Sequence, residues 1–413
     1  MNGSLLKVKS IQWVRTIRAK LRQWIDSRTL HYYFKNKRCG SLDEFLAGNG
    51  GNYYYEWPGT LWRGRRLWCS VYGKAKIAGS PSNKVLPIVI LPNHKMPSDC
   101  GLQYQYRPPF GGWARTMIDS EAVKAWLPRY EAIRPVAVLN TCFYFVFVRG
   151  ALDFNYQHWM SDHLPRLWFY FQLKKYLPQL KLIVSREMPR YQIEALELLG
   201  IPVSDTVFID QNQPVEVMNL YIPGFVSTCA AEVSKEFWDV LDVFSEIPLN
   251  EVASRAYPEY VWLSRGDAKD GKNRVLVNEG EIINWIKSYG FQEVKASELS
   301  WREKIGTFRN AKVIVGPIGA GFQNINFCSR GTRIILLEPA HFRCAEWFDR
   351  FASRRGCSFF ALSQAFKGNF RYWEKSPALG EAVFLGNFPW SYDLDLLKDQ
   401  LTSLLPDIVR CPP

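Results

Sequence analysis

Residues 155–167, NYQHWMSDHLPRL, hold two of the chain's five histidines and its densest run of reactive side chains. On a helix His158, Asp162 and Arg166 recur at i, i+4 and i+8, which puts an imidazole, a carboxylate and a guanidinium on one face. Such a set suits acid–base chemistry. Either Asp162 takes a proton with His158 and Arg166 as its electrostatic setting, or His158 takes it with Asp162 as orienting partner. Pro165 lies inside the same helix and lacks an amide hydrogen, so a shift of register is expected near Ser161. A polar face that is only solvated or salt-bridged is the plain alternative.

A second cluster is residues 313–324, VIVGPIGAGFQN, a β-branched run entering a glycine-rich turn that opens a helix. Glycine lets backbone approach a ligand, and free amides at a helix start attract phosphate. Gly316, Gly319 and Gly321 are spaced three then two, which departs from the GxGxxG dinucleotide fingerprint and speaks against a nicotinamide dehydrogenase. Other polar residues follow neighbouring strand-like runs: Arg265 after VWLS, with Lys272 and Arg274 in the next loop, Glu298 beyond Val294, and Glu338 after IILL. An arginine at a strand tip suits a diphosphate, and a carboxylate at the next tip suits ribose hydroxyls.

The elements that must carry these residues alternate clearly from residue 260 onward. Strands are expected at 260–264, 291–294, 312–315, 333–337 and 358–362, and helices at 279–289, 300–310, 322–328 and 341–354. That is a parallel sheet with helices on both faces. Looser alternation is expected upstream: strand in 136–148, helix over 155–176, strand at 180–185, helix at 190–199, strand at 206–209 and helix at 231–244. A linker is expected at 247–258, while residues 40–130, rich in Gly, Pro, Trp and Tyr, assign no element. The fold class is therefore α/β, with two Rossmann-like domains facing a cleft. The expected division is a basic arm at 1–38, an acceptor-side domain at 39–246, a nucleotide-binding domain at 247–385, and a C-terminal helix and tail at 386–413.

Five motifs in order, NYQHWMSDHLPRL, VWLSR, NRVLVNE, SELSWREKIGTFRNAKVIVGPIGAGFQNINF and TRIILLEP, resemble glycosyltransferase family 61 over about residues 135–340. The resemblance implies a glycosyltransferase-B fold and an inverting hexosyl or pentosyl transfer from a nucleotide sugar to a glycan or lipid-linked glycan acceptor. It implies no cofactor and no required metal, and a place in capsular or other surface polysaccharide synthesis. Asp162, His158 and Arg166 would be catalytic. Arg265, Arg274, Glu298, Gly316, Gly319, Ala320, Gly321, Asn324 and Glu338 would hold the donor, and Asn155 and Trp159 the acceptor. Family members usually carry His where this chain has Ile318, which keeps open a catalytically inactive, membrane-associated assembly or regulatory protein. The only DxD, Asp393-Leu394-Asp395, opens an expected helix, where carboxylates complement the helix dipole.

Charge and cysteines bound the partners and the compartment. The net charge is +13, but residues 1–38 carry ten basic and one acidic side chain, +9 of it. The remaining +4 leaves no long basic stripe for nucleic acid. Val14, Ile17, Leu21 and Trp24 or Ile25 recur at helical spacing among arginines, giving a basic amphipathic helix that can lie on an anionic membrane surface or dock on the body. No apolar run is long enough for a secretory signal or a membrane span. Nine scattered cysteines without a CxxC read as reduced thiols of a cytoplasmic protein rather than zinc ligands.

Overall fold

The computed structural model describes residues 37–48, 51–61, 66–78, 88–90, 134–145, 156–186, 188–209, 214–228, 232–248, 256–266, 274–339, 345–363, 373–375, 382–384 and 389–409. Nearly all of the basic arm, Asn155 and Lys272 lie outside them.

Two sheets organise the chain. The first contains β1 (Lys37–Arg38), β2 (Asn52–Glu56), β3 (Trp68–Ala78), β4 (Ile88–Ile90), β5 (Ala137–Tyr144), β6 (Lys181–Ser185), β7 (Thr206–Ile209) and β8 (Val215–Pro223). Their order is β1-β2-β3-β8-β5-β6-β7, with β4 paired to β3. β8, β5, β6 and β7 run parallel, whereas β3 is antiparallel to both β2 and β8. Its helices are α1 (Leu42–Ala47), α2 (Leu167–Lys174), α3 (Arg190–Leu198) and α4 (Lys235–Glu246), and a small ribbon joins β9 (Ser227–Thr228) to β10 (Glu232–Val233). This half is thus only partly Rossmann-like, since the aromatic segment before residue 80 adds an antiparallel wing.

The second sheet is wholly parallel. β11 (Tyr260–Leu263), β12 (Gln292–Val294), β13 (Val313–Pro317), β14 (Arg333–Glu338) and β15 (Ser358–Ser363) lie in the order β12-β11-β13-β14-β15. In a doubly wound sheet of this order the connections diverge between β11 and β13, and a crevice forms beyond the carboxyl ends of those two strands. Helices α5 (Glu279–Ile286), α6 (Trp301–Asn310) and α7 (Ala345–Arg355) connect the strands. Gly290 stops the α5 segment in the left-handed conformation (φ 82°), and a capping box between Ser300 and Glu303 starts α6. A ribbon of β16 (Trp373–Lys375) and β17 (Ala382–Phe384) precedes α8 (Leu394–Leu404) and α9 (Pro406–Val409).

Alternation along β13 assigns the faces. Ile314 points into a core shared with Phe143, Leu182, Leu167, Phe237 and Trp301, while Val313 and Val315 face Ile282, Ile286, Leu397 and Leu401. The first of these cores runs unbroken from one sheet to the other. α4 helps to seal it: Phe244 packs on Trp301 and Phe327, and Arg309 donates to the carbonyls of Phe244 (2.9 Å) and Ile247 (2.5 Å). α8 and α9 cover a face of the second sheet, and Arg333 grips Asp407 through two 2.8 Å contacts. Asp393 caps α8 by accepting from the Leu396 amide (3.0 Å) and Asp395 pairs with Lys398 (2.9 Å), so the DxD serves the helix.

Candidate active site

Pro165 shapes the first cluster. The segment starts as a helical turn at Tyr156–His158, widens to a π-turn over Trp159–His163, tightens to a 3-10 turn at Leu164–Arg166, and continues as α2. The Leu164 amide reaches back to the Trp159 carbonyl, the longer bond of a π-turn. This is the expected register shift. His158 and Asp162 stay together, with Nδ1 2.7 Å from Oδ2 and their side chains 16% and 11% exposed. A carboxylate can only accept, so the hydrogen is assigned to Nδ1, and Nε2 is left as a proton acceptor. That is the geometry of an imidazole base oriented by a carboxylate, and it favours His158 over Asp162 as the base.

Arg166 is buried, donates from Nη2 to the Pro223 carbonyl (2.6 Å) and from Nε to the Gly224 carbonyl (3.2 Å), and lies over the Phe225 ring. It anchors this segment to the end of β8. The expected acceptor contact of Trp159 is corrected. It is fully buried, edge-on to Phe145 and Tyr191, where an acceptor glycan cannot stack on it. His163 is held well below the usual imidazole range by burial, then by the Arg166 guanidinium, which keeps it neutral. Ser227 donates to the Ser161 carbonyl and so braces the π-turn from β9.

The second cluster lies at the crevice between β11 and β13. Arg265 follows β11 and donates from Nη1 to the Ile318 carbonyl (2.9 Å). Glu279, the first residue of α5, accepts from the Arg265 amide (3.0 Å) and from Trp262 Nε1 (3.1 Å), fixing the strand tip. A Cβ on Gly319 would come 2.3 Å from Arg265 Nη1, so the missing side chain lets the guanidinium lie against the turn. Gly316 serves a different need. A Cβ there would meet the Leu263 carbonyl oxygen at 2.4 Å, so this glycine lets β11 and β13 close up. At Gly321 a Cβ would make only ordinary contacts, the nearest at 3.5 Å.

The other expected donor residues divide. Glu338 is buried at the end of β14 and accepts from the Ala345 amide at the start of α7 (3.1 Å), which serves the helix end. Glu298 is exposed and 3.8 Å from Lys295. Arg274 takes a left-handed backbone (φ 51°), and its carbonyl accepts from Trp390 Nε1 (3.1 Å). Ile318 is 1% exposed within the shared core, so the residue that departs from the family pattern presents no side chain at the crevice. Among the described residues no group of His, Cys, Asp or Glu is arranged to hold a metal ion, and no helix is long and apolar enough to cross a membrane.

One residue missed in the sequence, Tyr156, joins the two clusters, and Lys304 and Glu194 pack or bond around it. Tyr156 donates to Asn324 Oδ1 (2.6 Å), and Asn324 Nδ2 donates to the Gly321 carbonyl (2.8 Å). The Tyr156 ring packs against Tyr191 and Trp301 under the Lys304 ammonium, which sits 5.4 Å from its centroid. Lys304 is 3% exposed, donates to the Leu299 carbonyl (2.8 Å), and is pushed down to about 8, chiefly by burial. Glu194 of α3 accepts from the Trp301 amide (2.9 Å) at the start of α6. Glu279 and Tyr156 adjoin readable motifs, but only their partners 14 and 168 residues away disclose what they do.

Residues 156–335 match the family model Glycosyltransferase 61. The matched span opens on Tyr156, contains the His158–Asp162 pair, Arg265 and the glycine turn, and closes inside β14. It supports a glycosyltransferase. No curated protein matches the chain.

Proposed function

We infer that the chain is an inverting glycosyltransferase that moves a hexosyl or pentosyl group from a nucleotide sugar to a hydroxyl of a glycan or lipid-linked glycan. The observation that carries this reading is the 2.7 Å His158–Asp162 pair, set in a segment hydrogen-bonded to the glycine turn of the parallel sheet. In the proposed reaction His158 Nε2 takes the acceptor proton as the acceptor oxygen bonds to the anomeric carbon. Asp162 fixes the imidazole tautomer and stabilises the imidazolium that forms. The bond from that carbon to the diphosphate breaks on the opposite face, which inverts the centre.

The leaving diphosphate would lie at the crevice of the second sheet, met by Arg265 and the amides of Gly319, Ala320 and Gly321. Preorganised donors of this kind favour the charge that develops on the leaving group over the ground state. The two sheets would then act as acceptor and donor sides of a glycosyltransferase-B arrangement. Ile318, the motive for an inactive assembly protein, is core here and leaves the pair intact. The arm at 1–38 would hold the enzyme on an anionic membrane on the cytoplasmic side, near acceptors of surface polysaccharide synthesis.

The test is a screen of nucleotide sugars for hydrolysis and transfer by the purified chain. Turnover of at least one, surviving chelation by EDTA and absent in His158→Gln, is expected. Full binding of a nucleotide sugar with no turnover would support the inactive alternative.

A further inference from the structure

The geometry points to Tyr156 as a positioning residue: through Asn324 it sets the distance between the His158–Asp162 pair and the glycine turn. This inference rests on the transferase reading above. Tyr156 stands two residues before His158 in the same helical turn, and that turn packs against the Ala320–Phe327 segment of the second sheet. The Asn324 amide is fully used in one orientation. Its oxygen accepts from Tyr156 at 2.6 Å, and its nitrogen donates to the Gly321 carbonyl at 2.8 Å. Flipping the amide would set its nitrogen against the hydroxyl and its oxygen against a carbonyl, so the two bonds fix each other. Asn324 is fully buried, and the Tyr156 ring is wedged among Tyr191, Trp301 and Lys304, which leaves the hydroxyl one direction to point.

The path from the base to the proposed phosphate cradle is therefore short and stiff: two residues of helix, one phenol, one amide, one glycine carbonyl. A nucleophile and a leaving group held by different sheets need such a spacer, because a misplacement of about 1 Å can cost roughly 100-fold in rate. Neither residue needs to touch substrate for this.

Tyr156→Phe removes only the hydroxyl. On the nucleotide sugar that the wild type turns over, kcat is expected to fall at least about 10-fold while the donor KM stays within about threefold. Tyr156→Phe/Asn324→Leu replaces both partners of the bond with apolar groups but also removes the Nδ2 donor of the Gly321 carbonyl, so its melting temperature is measured beside its kcat. Its kcat is expected to remain low. A kcat that returns with the melting temperature overturns the proposal, since the bond would then serve stability alone. Hydrogen exchange gives a readout independent of turnover: in Tyr156→Phe the amides of 156–163 and 319–327 should exchange faster, with β14 unchanged. If the wild type turns over no nucleotide sugar, the transferase reading fails and exchange decides the spacer. Unchanged exchange in both segments overturns it.

Discussion

Lys304→Met should erase a component of the pH dependence of stability whose size follows from burial. An ordinary lysine ammonium titrates near 10.5, whereas Lys304 is pushed down to about 8 because burial outweighs the attraction of Glu194 and Glu303. The folded protein therefore releases this proton near pH 8, and the unfolded chain holds it to about 10.5. Between these values the unfolded state binds more protons, so stability gained from Lys304 rises with pH. At 1.36 kcal/mol per pH unit the full gain is about 3 kcal/mol. The residue is 3% exposed, so salt should screen the effect little. Denaturant titrations from pH 7 to 10.5 on both proteins, compared as a difference, remove the contribution of other groups. The wild type should gain up to about 3 kcal/mol over the variant across that window. Parallel curves would refute the burial argument. The offset at pH 7 is no test, because Met also loses the Leu299 hydrogen bond and the ring contacts.

Other expectations concern the crevice and the arm. Gly316→Ala should destabilise the protein by about 1–3 kcal/mol in denaturant titration, because its Cβ would meet a backbone oxygen that cannot rotate away. A neutral result would show that β11 and β13 have slack. Arg265→Ala should weaken nucleotide-sugar affinity about 10-fold or more by calorimetry with little effect on folding, and unchanged affinity would remove it from the diphosphate site. Deleting residues 1–30 should abolish sedimentation with anionic vesicles and leave turnover of a soluble acceptor intact; retained sedimentation would move the membrane contact elsewhere.

Much of the second sheet was readable because its central strands β13 and β14 are short aliphatic, β-branched runs closed by a turn, and Ser300 with Glu303 or Gly290 marks helix ends locally. β8 was not read, although it lies between β3 and β5. Its VEVMNLYIP alternates only in its first half and is buried throughout its second, so neither periodicity dominates. The antiparallel wing was hidden for a related reason. β3 holds Gly73 and two lysines, and its partners are strands more than a hundred residues downstream or across an aromatic hairpin. At the site, His158 and Asp162 were legible because four residues span one turn. The carbonyls that Arg166 grips were not legible, because they lie 57 and 58 residues downstream. Trp159, Glu338 and Asn324 have residue types suited to ligands, but tertiary packing uses them for the core, a helix end and the link to Tyr156.

The central claim is that an imidazole oriented by a carboxylate deprotonates the acceptor. Its most direct test is single-turnover transfer from the active nucleotide sugar by the wild type, His158→Gln and Asp162→Asn, with donor affinity measured in parallel. The account expects His158→Gln to lose about 100- to 10,000-fold in rate. Asp162→Asn should also lose rate, and donor affinity should stay within about threefold in both, since neither residue lies at the proposed diphosphate site. A His158→Gln enzyme that transfers at near wild-type rate while Asp162→Asn is dead would contradict the account and make the carboxylate the base.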